Sequence, residues 1–427
     1  MRRLLLLLAA LIGLLYLGMP MFAALFLLPL AVLLVVEGGV PALGEMVIGK
    51  LDGYLLVAIP LFMLMAHVMV RGRVVDDLYG AAFALLRRVR GGVGIATVAA
   101  CTVFAAISGS SVATALTVGK IAIPQMLRYG MSRRGAFGVV AGGGTLGILI
   151  PPSAPMVLYA YVTEASVGAL FLAGLLPGLL MAAMFAGWCW LTEGHARAPA
   201  DEPPPERAAV ALRRAGWSIS LPVFVLGGIY FGVFTATEAA GTGTLYATLI
   251  AALVYRALTL RDFLDGVAEA TRTSAMLLMI IAGAAIYGYM LTKLLVPQEL
   301  VALVAEWGLG RTGFLVAMMV LLFLLGLVLE SFSIILLTMP AILPVMDALG
   351  IDKVWYGVLL TLSLEMALIS PPVAMNLVVI KAITGAPLSE VNRSILPYML
   401  MLAAGTALLI AFPGIALWLP RQAGYQG

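Results

Sequence analysis

The chain has 427 residues, of which 63% are hydrophobic and 11% charged, with a mean hydropathy of +1.10. Soluble domains carry a charged share nearer a quarter, so this composition excludes a soluble fold and places the chain in a bilayer. The small net charge of +4 falls in loops of the kind the positive-inside rule describes and does not point to nucleic acid; Cys101 and Cys189 lie in separate apolar runs, which supports neither a disulfide framework nor a cysteine metal site.

In chain order, apolar runs at 4–18, 20–37, 51–70, 135–165 and 167–191 are each long enough to cross as helices, and the fourth is broken by Pro151-Pro152. The first run follows Arg2-Arg3 like a signal peptide, but without a small-residue cleavage site it reads as a retained helix. Residues 74–86 place Val75, Leu78, Tyr79, Ala82, Phe83 and Leu86 at helical spacing, which predicts an amphipathic helix along the membrane surface. Segment 91–127 is apolar yet flanked by arginines on both sides: Arg71, Arg73, Arg87, Arg88 and Arg90 before it, Arg128, Arg133 and Arg134 after it. Both ends therefore face the cytoplasm, and the segment must turn back inside the membrane as a re-entrant hairpin with its tip at Ser108-Gly109-Ser110-Ser111. Non-helical backbone at that depth survives only where it is buried in protein or lines a watery cavity.

Residues 192–216, with Pro203-Pro204-Pro205 among charged residues, read as a cytoplasmic linker between a first repeat, 1–191, and a second, 217–427. The second repeat has spans near 217–234, 238–256, 273–292, 353–385 (broken) and 393–418, a surface segment at 297–308 and a hairpin at 311–347. Laid over the first half, Pro344 falls on Pro124, Met346 on Met126, Gly350 on Gly130, Pro371-Pro372 on Pro151-Pro152 and Pro397 on Pro177. These coincidences fall on helix breakers, so the halves share one interrupted-helix plan. About five crossings per repeat is an odd number, which inverts the second copy; its loop at 349–353 is accordingly much poorer in positive charge than the one at 128–134. The fold class expected is an all-α integral membrane protein, with an inverted repeat of about five transmembrane helices plus one re-entrant hairpin each.

At each tip and break, backbone carbonyls and amides lose their intrahelical partners. Carbonyl ends with hydroxyls nearby suit a hard cation such as sodium, and amide ends suit a substrate carboxylate. The first half brings Ser108, Gly109, Ser110, Ser111 and Thr114 to face Gly143-Gly144-Thr145-Leu146-Gly147 and Pro151-Pro152-Ser153; the second brings Glu330-Ser331-Phe332-Ser333 and Thr338 to face Glu365-Met366-Ala367 and Ser370-Pro371-Pro372, with Asn376 beyond. Isolated kinks satisfied by Ser and Thr are common in membrane helices, but four breaks paired by a repeat point to a binding site between the halves. Glu330 and Glu365 interrupt apolar runs and fit a cation ligand or a proton acceptor.

Other residues take plainer readings. His67 has no acidic neighbour in sequence, so packing or a backbone hydrogen bond is expected rather than a proton relay. Lys120 would snorkel to the surface, and Lys293 and Arg311 read as solvated outer-loop charges. Trp188, Trp190, Trp217, Trp307, Trp355 and Trp418 stand at span ends, as in aromatic belts. A Ser110–His67 intramembrane protease is not supported, because the Gly-x-Ser-x-Gly elbow is missing and nothing orients the histidine; Gly142-Gly143-Gly144 lacks the Gly-Lys-Ser/Thr of a phosphate loop. The chain is not expected to be an enzyme.

These residues resemble the large membrane subunit, DctM-like, of the tripartite ATP-independent periplasmic (TRAP) transporters. The resemblance runs the length of the chain and is sharpest in Ile107-Ser108-Gly109-Ser110-Ser111-Val112-Ala113-Thr114-Ala115, in Gly143 to Ser153 and in Phe171-Leu172-Ala173-Gly174-Leu175-Leu176-Pro177-Gly178. Ser370-Pro371-Pro372-Val373 with Asn376 is similar to the family's second broken-helix motif, but Ala367 and Ala374 stand where glycine is usual and Ser370 where threonine is usual. The resemblance implies an elevator-type secondary transporter of the inner membrane. It also implies sodium-driven uptake of an organic acid delivered by a periplasmic binding protein, with a small four-helix membrane subunit as a separate chain. About two sodium sites follow by similarity: one at Ser108, Gly109 and Ser110 with Gly144, Thr145 and Gly147, the other at Glu330 and Ser331 with Ala367 and Ser370. The substrate would lie between them against Ser110, Ser111, Pro152, Ser153 and Asn376. The alternatives are a self-sufficient sodium–dicarboxylate symporter and a non-transporting membrane scaffold.

Overall fold

A computed structural model of the chain describes residues 2–39, 43–72, 74–194, 207–372 and 374–425. Arg73, the linker prolines Pro203-Pro204-Pro205 and Val373 lie outside the described residues. Within them every regular element is helical. The first half comprises α1 (Arg2–Tyr16), α2 (Met21–Glu37), α3 (Leu43–Leu51), a 3₁₀ turn Tyr54–Val57, α4 (Ala58–Arg71), α5 (Val74–Leu86), α6 (Gly92–Ser108), α7 (Ser111–Arg128), α8 (Arg133–Leu149), α9 (Ala154–Thr163) and α10 (Val167–Thr192). The second comprises α11 (Ala208–Tyr230), α12 (Ala236–Leu249) with a π turn Ile250–Val254, α13 (Leu260–Lys293), α14 (Val296–Glu306), α15 (Arg311–Gly326), α16 (Ser331–Ala348), α17 (Lys353–Leu368), α18 (Met375–Thr384), α19 (Leu388–Ser394), α20 (Leu396–Ala411) and α21 (Gly414–Gln422). Seven helical stretches among the described residues are long and apolar enough to cross a membrane.

Local chemistry explains the breaks. Gly109 closes α6 with φ 58°, a left-handed turn that glycine enters at no steric cost, and Ser110 opens α7 by accepting a hydrogen bond from the Ala113 amide at 3.4 Å. The α8 helix stops at Ile150 because Pro151 disfavours helical backbone in the residue before it. Ser132 caps α8 through the Gly135 amide (3.0 Å), and at the matching place in the second half Asp352 caps α17 through the Trp355 amide (2.9 Å). Short turns at 109–110 and 327–330 join α6 to α7 and α15 to α16, and α7 and α16 are 18 residues each.

The helices form two layers. In one, α2 packs on α13, α4 on α12 and α13, and α11 on α5 and α12; in the other, α8 and α17 are surrounded by α6, α7, α9, α10, α15 and α20. The layers meet where α5 packs on α6 and α7, where α4 reaches α6 and α9 and where α13 reaches α16, with Phe62 edge-on to Phe171 at 6.1 Å. Lipid tails give helices little hydrophobic reason to associate, so close approach by small residues carries the packing. The run Gly142-Gly143-Gly144 does this on three faces: a β-carbon at Gly142 would strike Tyr398, at Gly143 Cys101 and at Gly144 Ala115.

Several expectations change. The α11 helix begins at Ala208, ahead of 217, since Ala208-Ala209-Val210-Ala211-Leu212 are mostly strong helix formers. The α13 helix has 34 residues and starts well before 273; its polar first turns are held by a capping box in which Thr259 and Asp262 satisfy each other's backbone amides. Span 393–418 is three helices, interrupted before Leu396-Pro397 and again at Phe412-Pro413. Trp355 is no belt residue: it is buried, its indole donating to the Leu409 carbonyl at 2.9 Å, whereas Trp190, Trp217, Trp307 and Trp418 are exposed. Lys293 is not a loose loop charge either, since its ammonium meets Glu37 at 2.7 Å and joins α13 to α2.

Candidate substrate and cation site

The first tip is a small polar knot. The Ser108 hydroxyl lies 2.8 Å from that of Thr114, which donates to the Ser110 carbonyl at 2.8 Å. The tip presses on the first helix break: a β-carbon on Gly109 would collide with the Pro152 carbonyl, and one on Gly147 with the Ser110 carbonyl. Ser110, Thr114, Gly147 and Pro152 thus crowd oxygens and backbone into one spot.

Asn376, from the second half, completes it. Its amide donates to the Ser111 hydroxyl at 2.8 Å and the Ala141 carbonyl at 3.3 Å, and its own buried Oδ1 has no hydrogen-bond partner. A β-carbon at Gly144 would sit 3.2 Å from the Asn376 amide nitrogen, so this glycine admits the asparagine. Leaving a buried acceptor unpaired costs about 1–3 kcal/mol unless a ligand satisfies it. Hydroxyls, carbonyls and an orphan amide oxygen are the donor chemistry a hard alkali cation takes, so these residues fit sodium.

The second tip differs. Glu330 stands where the first half has Ser110 and opens α16 without a side-chain cap. Gly326 of α15 packs directly on Ala367 of α17. Ser370 spends its hydroxyl on the Met366 carbonyl at 2.6 Å, as Thr145 does on Gly142 at 2.6 Å. Ala374 has φ 40° and ψ 58°, a left-handed conformation that favours glycine, which matches its standing in a usual glycine position. Glu365 is wholly buried, with neither carboxyl oxygen hydrogen-bonded.

Both tips open on one cavity of about 500 Å³ at the seam between the layers. Ser108, Gly109, Ser110, Ser111, Pro152, Glu330 and Ser331 line it. Gly144, Thr145, Gly147, Ser153, Asn376 and Ser370 lie behind this wall; Ala367 lines an adjoining cavity of about 280 Å³ that shares Glu330. The opposite wall is α4 and α13, bringing His67, Arg71, Glu269 and Thr273. Here the plain reading of His67 changes, since its Nδ1 lies 3.6 Å from a Glu269 carboxyl oxygen. Glu269 was missed, yet the spacing of Asp262, Asp265, Glu269 and Thr273 already marks a polar face on α13. His67 and Ser110 share the cavity, but the Ser110 hydroxyl caps α7.

The chain matches the family model "Tripartite ATP-independent periplasmic transporter, DctM component" over residues 8–415. It is 39% identical over 374 residues to the C4-dicarboxylate TRAP transporter large permease protein DctM of Pseudomonas aeruginosa, with 87% of this chain and 88% of that one aligned. It is 33% identical over 417 residues to the ectoine TRAP transporter large permease protein TeaC of Halomonas elongata, covering 96% and 97%. Among solved structures, the Alcanivorax borkumensis YdaH transporter superposes with a TM-score of 0.64 at 16% identity, over 90% of this chain and 88% of that one, a likeness of fold. With the family model spanning nearly the whole chain and relatives above 30% identity along it, the protein belongs to the DctM family, the multi-pass large permease component of TRAP transporters, and is not an enzyme.

Proposed function

We propose that the chain imports an organic acid across the bacterial inner membrane by sodium-driven secondary transport, receiving it from a periplasmic binding protein and working with a separate small four-helix membrane subunit. The observation that carries this reading is the convergence of both helix-pair tips and the first helix break on one cavity, which Leu368 and Met375 flanking the second break also line, with Asn376 of the second half bonded to Ser111 of the first. The amide ends of α7 and α16 favour an anionic group there. A cation held beside them would supply positive charge and tie carboxylate binding to the sodium gradient. One site would use Ser108, Gly109 and Ser110 with Gly144, Thr145 and Gly147; the other, Glu330 and Ser331 with Ala367 and Ser370. Because Thr145 and Ser370 already spend their hydroxyl protons on their own helices, each would offer a lone pair rather than a proton.

In this reading the layer holding the tips slides as a body against the layer holding α4 and α13, the elevator arrangement, and the two halves are inverted copies. Confinement of the tip residues to one layer, which faces α4 and α13 across the cavity, supports it. The relatives' named substrates suggest a carboxylate cargo. The test is uptake of labelled organic acids into proteoliposomes containing the chain and its small partner, with an imposed sodium gradient, with and without the binding protein. Uptake that needs sodium and the binding protein is expected. Uptake with sodium alone would replace this reading with a self-sufficient symporter, and no uptake by correctly inserted protein would overturn it.

A further inference from the structure

The two walls of the cavity differ in chemistry. The hairpin wall offers helix amide ends, hydroxyls and, on the reading above, bound cations, all suited to a carboxylate. The α4–α13 wall is apolar at Phe62, Met63 and Val70 but carries His67 and Glu269. Among the described residues the arginine lining it, Arg71, is engaged by Asp262 at 3.2 Å, so that positive charge is already answered. Among the described residues the Glu269 carboxylate meets only His67, at 3.6 Å, beyond ordinary hydrogen-bond length, and its side chain remains 56% exposed. Among the described lining residues, Arg71 is balanced by Asp262 while Glu269 and Glu330 remain, and Glu330 stands at the second tip, where a cation can offset it.

A second carboxylate on the cargo would approach Glu269 while Arg71, the cation that lines the cavity among the described residues, is already paired with Asp262. Like charges about 4–6 Å apart in a partly wet site weaken binding by roughly tenfold or more. A protonated amine or a hydroxyl in the same place would instead donate to the Glu269 carboxylate, and His67 could pair with the other carboxyl oxygen. We infer that His67 and Glu269 form a specificity site for the far end of the cargo, selecting acids that carry one carboxylate and a cationic or hydrogen-bond-donating group opposite it. This rests on the transport reading and narrows its substrate class.

The test measures sodium-dependent binding of three acids that share a C4 chain, 4-aminobutyrate, 4-hydroxybutyrate and succinate, to the purified membrane complex without the binding protein. The wild type should hold the two donor-ended acids at least roughly tenfold more tightly than succinate, about the worth of one charge-assisted hydrogen bond. Glu269→Gln should collapse that ratio by raising succinate affinity, and Glu269→Asp should largely keep it. Because binding of succinate is expected to improve in Glu269→Gln, misfolding cannot mimic the result. A wild type that prefers succinate, or a ratio unmoved in Glu269→Gln, overturns the inference while leaving transport intact. Failure of every acid to bind the folded wild-type complex in sodium would instead count against the transport reading and remove this inference with it.

Discussion

Replacing Gly147 by alanine perturbs the first tip without removing any polar group. The added methyl would overlap the Ser110 carbonyl, and it would lie 2.6 Å from the Ser110 carbonyl carbon and 2.8 Å from the Thr114 hydroxyl. Ordinary carbon contacts begin near 3.5 Å, so α8 and the tip must part by about 1 Å. Thr114 bonds both Ser108 and Ser110, so the whole knot moves together. Overpacking of this kind costs about 1–3 kcal/mol, small enough for the protein to insert and fold. A displacement of about 1 Å is nevertheless large against the tolerance of cation–oxygen coordination. Thermal unfolding of the purified complex with and without sodium should therefore show a modest loss of stability and no remaining stabilisation by sodium, with uptake falling at least about tenfold. Gly187→Ala is the control, since its β-carbon meets nothing within 4 Å; it should leave sodium stabilisation intact. Wild-type sodium stabilisation in Gly147→Ala would refute the placement of a cation at this tip.

Glu330→Gln keeps the shape of the second tip but removes its formal charge; uptake should fall and its sodium dependence flatten, and an unchanged sodium titration would remove Glu330 from the coupling site. Ala374→Gly should relieve a left-handed strain of about 1–2 kcal/mol while restoring about 0.5–1 kcal/mol of unfolded-state entropy, for a net gain of about 0 to 1.5 kcal/mol in thermal unfolding. Destabilisation beyond that range would mean that the alanine methyl makes contacts worth more than the strain. For the inverted arrangement, cysteines placed at exposed Arg134 and Ala348 should label from opposite faces with an impermeant reagent, in a background lacking the buried Cys101 and Cys189; labelling from the same face would end that topology.

Most helix boundaries were readable from the chain because they are set locally. Gly109 turns backbone that other residues resist, Ser110, Ser132 and Asp352 satisfy the first amides of their helices, and Pro151 ends the helix before it. The positions of both hairpins, both broken helices and α5 follow from such residues and from apolar periodicity. So does the membrane class, because composition alone sets what solvent the chain can bear. The DctM resemblance rested on the same break motifs. What sequence could not supply is which side chains meet across elements far apart in the chain. His67 has no acidic neighbour in sequence, yet α4 against α13 brings Glu269 to it. Trp355 stands at a helix end, where lipid and water usually meet, but α17 lies at the centre of its layer and α20 takes the indole hydrogen bond. Asn376 sits far down the chain from Ser111, and only the packing of α18 on α7 makes one site of two halves. Local backbone chemistry determined where the helices begin and break; the partners of buried polar groups were decided by packing, because a membrane interior gives such groups no water and leaves each of them to whatever the neighbouring helix presents.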